Sequence, residues 1–576
     1  MMNQYKETKG NLTLLVLVDS SKKQNYIVFE RTVLSALEHF GIPYQILDLA
    51  NKSLTMDEVN RHCGIVIGEE NLGKCLSSET IKILIAAIKE GIGLVSFDGA
   101  LFDYPSSYLD ILSIELKGIR EFSSLKISFN NHPLTDIYEL NKLYKLNKPL
   151  EIPETEVKKN NTLLLETEEG LPAVFVSRYG KGRIVQYTFS PKFWLPEYFG
   201  HLRGLDGLFW KSIVYIARKP FIIKAMPPFV TARIDDASGS GSIFGKKKDS
   251  ANRNFAYIDI LNRHNFFPSV SLFINDITKA DGKIIKEKYD EELTEFTIHA
   301  FRDPKNINEF PIFMRHNGEE FSKEELKINF TQVDEKFHSW GIKHSRGVCG
   351  HFCEVGLNAL SFLKERGIFY TMCPVRFGKT YVDKEARNWN PKPYGSFERV
   401  LDYMPDNPDF FVVWSAGETR PEDYVAPTVD FLYSCTPFWS ESRKVDIQKA
   451  VKRGAEQIKL SLDSGFFGCL LAHEQRIATL TIKEWEQILS GIEKLTSKYR
   501  KIFKSHDYIA EYAKSRYNTK TVEANYNPIL KEIKLKLIGK STLPLKIFVY
   551  SDEESVRYES KEISPFAGEM DIISSI

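Results

Sequence analysis

The chain has 576 residues, 43% of them apolar and 27% charged, so it exceeds what one hydrophobic core organises and two to four domains are expected. Its 77 basic and 76 acidic residues leave a net charge of +1, which gives no electrostatic reason to expect nucleic acid or an anionic membrane as partner. The seven cysteines (Cys63, Cys75, Cys349, Cys353, Cys373, Cys435 and Cys469) are odd in number and dispersed, which argues against a disulfide framework and for a reducing compartment.

Residues 1–222 alternate strand and helix signals. The apolar run 12–18 stands behind Lys6 and Lys9, but Asp19 follows directly and no small-residue cleavage site appears. It therefore reads as a first buried strand, not as a leader. No apolar run approaches the roughly 20 residues that span a bilayer, and a cytoplasmic location is the expectation. An amphipathic helix is expected over 26–40, strands over 45–49, 64–68 and 93–97, and a helix over 78–90 ended by Gly91. Later, 172–176 and 183–189 flank Tyr179-Gly180-Lys181-Gly182, a hairpin signal. Strand–helix units closed by glycines predict an α/β domain with a doubly wound parallel sheet.

The order Gly91-Ile92-Gly93-Leu94-Val95-Ser96-Phe97-Asp98-Gly99, then Asn131-His132-Pro133-Leu134-Thr135, then Tyr179-Gly180-Lys181-Gly182-Arg183-Ile184-Val185 resembles the class I glutamine amidotransferase-like fold. It is most similar to the branch without amidotransferase activity that accompanies carbohydrate-active enzymes. Amidotransferases need a cysteine on a tight strand-to-helix turn, activated by a histidine. The comparable turn here is Phe97-Asp98-Gly99. The resemblance thus implies a flavodoxin-like domain over 1–222 that binds a ligand or packs, without that catalysis. A helix over 208–217 closes it, and Pro220, Pro227 and Pro228 mark the boundary.

A second domain, 223–518, opens on Phe229-Val230-Thr231-Ala232-Arg233-Ile234, a buried strand by its apolar run, ending in Asp235-Asp236. Ala237-Ser238-Gly239-Ser240-Gly241-Ser242 follows and continues neither strand nor helix. An Asp-Asp pair after a strand is most often a turn. Carboxylates at the C-terminal edge of a core strand also stand where barrel and open-sheet enzymes keep their active sites. A helix is expected over 255–264, strands over 269–273 and 295–299, and a charged helix over 323–340. A strand over 344–348, a helix over 355–366 and a strand over 368–372 come next. The stretch 373–409, rich in Pro, Asn, Arg and Tyr, is expected as a loop wall. Strands over 410–414 and 466–472, with helices over 446–460, 483–499 and 507–515, complete an irregular (β/α) barrel. From 519 to 576, alternation over 529–538, 545–550 and 556–560 predicts a small β appendage packed on the barrel.

Four pieces of the second domain end buried strands in ionisable residues: Asp235-Asp236; His299 with Asp303 four positions on; Arg346 through Cys349 to His351; and His473 after Leu470-Leu471-Ala472. A lone strand-end histidine is usually structural, but four such endings in order point to a metal or catalytic centre. Two adjacent carboxylates repel unless a cation sits near them, which also favours metal. Cys349, His351, Cys353 and Cys373 offer a rival structural zinc site, although Cys-x-His-x-Cys is not the usual paired spacing.

This order resembles the polysaccharide deacetylase family, metal-dependent carbohydrate esterases on a distorted (β/α) barrel. Arg233-Ile234-Asp235-Asp236 is similar to its opening Thr-Phe-Asp-Asp motif, which implies Asp235 as general base and Asp236 as metal ligand. In the His-Ser/Thr-x-x-His motif His299 matches, and the second position is Asp303; His351 competes with Asp303 as third ligand. Arg346 is the candidate for the arginine that fixes the base, without the Pro-rich sequence that normally follows. Leu471-Ala472-His473 matches the Leu-x-His motif, which implies His473 as general acid. The resemblance implies a divalent metal cofactor (zinc, with cobalt, nickel or manganese as alternatives) and an N- or O-acylated carbohydrate substrate. A barrel that only binds carbohydrate is the alternative. Trp389, Tyr394, Trp414 and Trp439 are candidates to stack on sugar rings.

Overall fold

The computed structural model describes residues 7–158, 160–241, 249–302, 309–372, 378, 401–404, 407–413, 430–437 and 444–576. Contacts divide the chain into two compact units, Met1–Ala225 with Ser515–Ile576, and Met226–Lys514.

In the first unit, five parallel strands lie in the order Tyr44–Asp48, Leu14–Val18, Gly64–Ile67, Leu94–Ser96, Gly182–Tyr187. Numbered along the chain this is 2-1-3-4-5, the order of flavodoxin-like doubly wound sheets. The strand Leu14–Val18 is buried at every residue, which is why it reads as an unbroken apolar run. Helix Ser78–Lys89 starts where the Ser77 hydroxyl accepts from the Thr80 N–H, and Gly91 turns out of it at φ +110°. Helix Asp206–Ile216 approaches the sheet closely: a Cβ on Gly93 would lie 2.1 Å from the Ile216 carbonyl oxygen. Antiparallel strands Pro172–Tyr179, Thr162–Thr167, Ile114–Ile127 and Leu143–Val157 extend the sheet beyond its parallel part. The segment expected to pack on the barrel as an appendage belongs instead to this unit. Leu545–Tyr550 pairs with Phe221–Ile223, and Lys9 bridges Glu523. A strand edge with unmet backbone groups recruits a partner, and the C-terminal strands provide it.

In the second unit, strand Phe229–Ala237 is buried along its whole length. Gly468–His473 pairs with it on one side and Pro268–Phe273 on the other. The sheet continues in parallel through Glu295–Arg302, Gly347–Val348, Tyr370–Thr371 and Asn407–Val413. The last parallel strand in sequence thus lies beside the first, the neighbour order that a (β/α) ring imposes. Among the described residues the sheet ends at Leu401–Met404 on one side and Gly468–His473 on the other, and no pairing joins the two. Part of the stretch expected as a loop wall is strand: Leu401–Met404 runs antiparallel to Asn407–Val413. Among the described residues, no helix is long and apolar enough to cross a membrane.

Candidate metal and catalytic centre

Side chains two apart on a strand share a face, and those of neighbouring residues oppose each other. Arg233 and Asp235 follow this rule. The guanidinium donates from Nε to Asp235 Oδ1 at 3.1 Å and from Nη2 to Oδ2 at 2.9 Å, with Nη1 on the Met372 carbonyl at 3.0 Å. Ser271 Oγ donates to Asp235 Oδ1 at 3.1 Å, and the Cys349 thiol lies 3.5 Å from the same oxygen. Burial alone would raise the Asp235 pKa, but Arg233, His299 and His473 outweigh it and hold the carboxyl below its usual range.

Asp236 breaks the alternation. Its φ is +58°, and the register against Pro268–Phe273 shifts between Ile234 and Ala237, a bulge. Bulges re-aim side chains, and here Asp236 joins the histidines that also surround Asp235. Its Oδ1 lies 2.8 Å from His299 Nε2 and 3.5 Å from His351 Nε2. One ligand atom from each of Asp236, His299 and His351 falls within 4.8 Å of the others. His299 Nδ1 is 2.6 Å from the Cys349 carbonyl oxygen, so Nδ1 carries the proton and a neutral ring turns its Nε2 lone pair toward a carboxylate. Two acceptors at 2.8 Å require a cation between or beside them, either a second proton on His299 or a metal. Burial opposes charge on His299, yet Asp236 and the Cys349 side chain raise its pKa well above the usual value. Burial lowers the His351 pKa to about 3, with Asp236 opposing and His299, His316 and His473 assisting, so this imidazole is neutral and fit to ligate. A carboxylate and two imidazoles, one with its other nitrogen on a backbone carbonyl, form a donor set that fits zinc and its first-row neighbours.

His473 stands opposite Asp235 in the strand register. Its Nδ1 and its backbone N–H both lie 2.9 Å from Asp430 Oδ2. Burial disfavours the imidazolium, but the Asp430 bond and the charges of Asp236, Asp430 and Asp235 prevail and raise the pKa to about 9. Asp430, buried and 43 positions upstream, carried no local signal in the sequence. Arg233 did, through its two-residue spacing from Asp235.

Arg346 is a correction. It precedes the Gly347–Val348 strand at the end away from His351, half exposed, with Nη2 on Glu511 at 2.6 Å and its backbone N–H on Asp507. The guanidinium on Asp235 is that of Arg233. Asp303 lies outside the described residues, so His351 completes the trio among those described. Trp389, Tyr394, Trp414, Trp439, Cys373 and the Cys353 side chain also lie outside them. Cys349 is directed at Asp235, whereas His351 is directed at Asp236.

In the first unit, the turn after Leu94–Ser96 holds Asp98, fully buried, accepting from Asn71, Leu72 and Ala100 N–H groups and the Tyr104 hydroxyl. Burial pushes the Cys63 and Cys75 thiols up to about 12 and about 11, the reverse of an activated nucleophile.

No protein-family model matches the sequence, and no curated protein matches it. Solved structures give remote likenesses. A candidate polysaccharide deacetylase from Mycobacterium smegmatis is 12% identical with a TM-score of 0.34, over 51% of this chain and 92% of that one. A family 4 carbohydrate esterase from Streptomyces lividans is 8% identical with a TM-score of 0.25, over 47% and 90%. A candidate ThuA-like protein from Parabacteroides merdae is 16% identical with a TM-score of 0.25, over 31% and 79%. At such identities and scores these neighbours assign neither an activity nor a substrate to this chain.

Proposed function

We propose that the second unit is a metal-dependent hydrolase that removes an acyl group from an N- or O-acylated carbohydrate. The observation that carries this reading is the meeting of Asp236, His299 and His351 beside two oriented proton-transfer groups, Asp235 and His473. A divalent ion held by that trio, zinc foremost, supplies the Lewis acidity that makes water nucleophilic near neutral pH and polarises the acyl carbonyl. Asp235, kept ionised by Arg233, takes the proton of the attacking water on a carboxylate oxygen. His473, kept protonated beside Asp430, gives a proton from Nε2 to the departing amine or alcohol. A base held low and an acid held high coexist at one pH, as such chemistry needs. The carbohydrate is supported by the motif resemblance.

The test is metal content and acetate release for the protein and Asp236→Ala. Zinc or cobalt at about 100 times its Kd should stabilise the wild type by about 2.7 kcal/mol and leave the variant unmoved. Acetate should appear from an N-acetylated oligosaccharide only with the wild type. Glycan binding without acetate release would identify a carbohydrate-binding barrel instead, and absence of any metal-induced stabilisation would end the hydrolase reading.

A further inference from the structure

One buried carboxylate beside the centre has no part in the proton transfers above. Glu474 follows His473 and is fully buried. Its Oε1 accepts the backbone N–H groups of Ser238 at 3.0 Å and Gly239 at 3.1 Å, and its Oε2 accepts the Tyr257 hydroxyl at 3.0 Å. From another side Arg302, three residues beyond His299 on the same strand, donates to Ser238 Oγ at 3.2 Å and pairs with Asp276 at 3.4 Å. Asp281, in the first turn of helix Lys279–Asp290, accepts the Ser240 N–H at 3.1 Å. Gly239 has φ +55°, and a Cβ there would lie 2.8 Å from the Phe255 ring. Three consecutive residues just past the bulge are therefore held from several elements at once.

The bulge needs such support. Asp236 is a non-glycine residue in the left-handed region, a conformation that persists only where its surroundings over-determine it. Relaxed into regular strand, its side chain would turn to the face opposite Asp235 and leave the histidines.

We propose that Glu474, with Arg302 opposite it, is a positioning residue that clamps Ser238 and Gly239 and so holds Asp236 in the bulge that presents its carboxylate to His299 and His351. The clamp rests on the metal-centre reading above and adds to it a residue that contacts neither metal nor substrate. Outer contacts of this kind carry about 10- to 100-fold in metal affinity.

Cobalt(II) alone is the probe, read by its visible absorption and by competition with a chelator, with circular dichroism and metal-free melting as controls of folding. Glu474→Ala should weaken cobalt binding about 10- to 100-fold and alter the visible bands. Glu474→Asp, which withdraws the acceptor by one methylene yet keeps a carboxyl group, should weaken it too, and it decides the question if the alanine variant does not fold. Glu474→Gln keeps one oxygen for both N–H groups and an amide for the Tyr257 oxygen, and should restore wild-type binding and spectrum. Wild-type affinity in Glu474→Asp, or no recovery in Glu474→Gln, overturns the clamp. A wild-type protein that takes no cobalt overturns the metal centre itself, a result distinct from wild type and variants binding alike.

Discussion

Which arginine serves Asp235 can be decided by replacing each of the two with methionine, which keeps the apolar stem and removes every donor. Arg233 is 1% exposed and paired with a carboxylate that is 4% exposed, so Arg233→Met strands a buried charge. Breaking a buried pair in this way costs about 3–5 kcal/mol. At about 2–4 °C per kcal/mol for a domain of this scale, the melting temperature should fall on the order of 10 °C. The second consequence is chemical. Without its guanidinium, burial acts on Asp235 with less opposition and its pKa rises. The base is then protonated over part of the range in which it had been ionised, so the acid limb of acetate release moves to higher pH. Arg346 is half exposed and its ion pair with Glu511 is near solvent, where such pairs contribute about 1 kcal/mol or less. Arg346→Met should therefore cost a few degrees at most and leave the pH limb in place. Adding Asp235→Asn to Arg233→Met removes both charges, and should recover part of the lost stability while abolishing activity. Urea and thermal unfolding read the first effect, and pH–rate profiles read the second. Equal losses in the two methionine variants, or a moved acid limb in Arg346→Met alone, would refute the assignment of Arg233.

Asp430→Asn removes the charge that orients His473; acetate release should fall about 100-fold, as for loss of a positioned general acid. The wild-type alkaline limb should lie near 9, because His473 acts protonated and loses its proton as pH rises through that value, and in Asp430→Asn the limb should move down. Gly347→Ala tests the packing beneath the centre. A Cβ there would lie 2.3 Å from Tyr370 Cζ, and that ring is pinned by its hydroxyl on Asp507, so a loss of about 1–3 kcal/mol in urea unfolding is expected.

The parallel strands were the most legible elements because both faces are covered and their sequences are continuous apolar runs. Helix Lys323–Trp340 was equally plain, since Ser322 and Glu325 form a capping box and Gly341 ends it at φ +70°. Helix Lys279–Asp290 was missed: Gly282 and its charged face dilute the periodicity, although Thr278 and Asp281 form a capping box at its start, and Gly282 lets the Trp340 ring lie against its backbone. The long pair Ile114–Ile127 and Leu143–Val157 was missed for the opposite reason, being exposed along much of its length and lacking an apolar rhythm. The home of residues 519–576 depended on which strand edge was open, and pairing between residues some 300 apart leaves no local trace. At the site, strand ends marked Asp235, Asp236, His299 and His473, whereas the partners that orient them, Asp430 and Glu474, are fixed by tertiary proximity.

The division of labour within the centre follows from where protons are held. Asp235 and Asp236 are both kept below the ordinary carboxylate range, one by a guanidinium and the other, against its burial, by imidazoles, so neither is a proton donor near neutral pH. His351 is neutral by burial and has none to give. His299 holds one, but its two nitrogens face the Cys349 carbonyl and Asp236. His473 alone combines a raised pKa with a nitrogen, Nε2, that Asp430 does not engage. In the proposed reaction the acid therefore comes from Gly468–His473, the strand beside the first one, and the base from the first strand itself. Under the proposed function, their register, Asp235 opposite His473, is what brings acid and base next to each other.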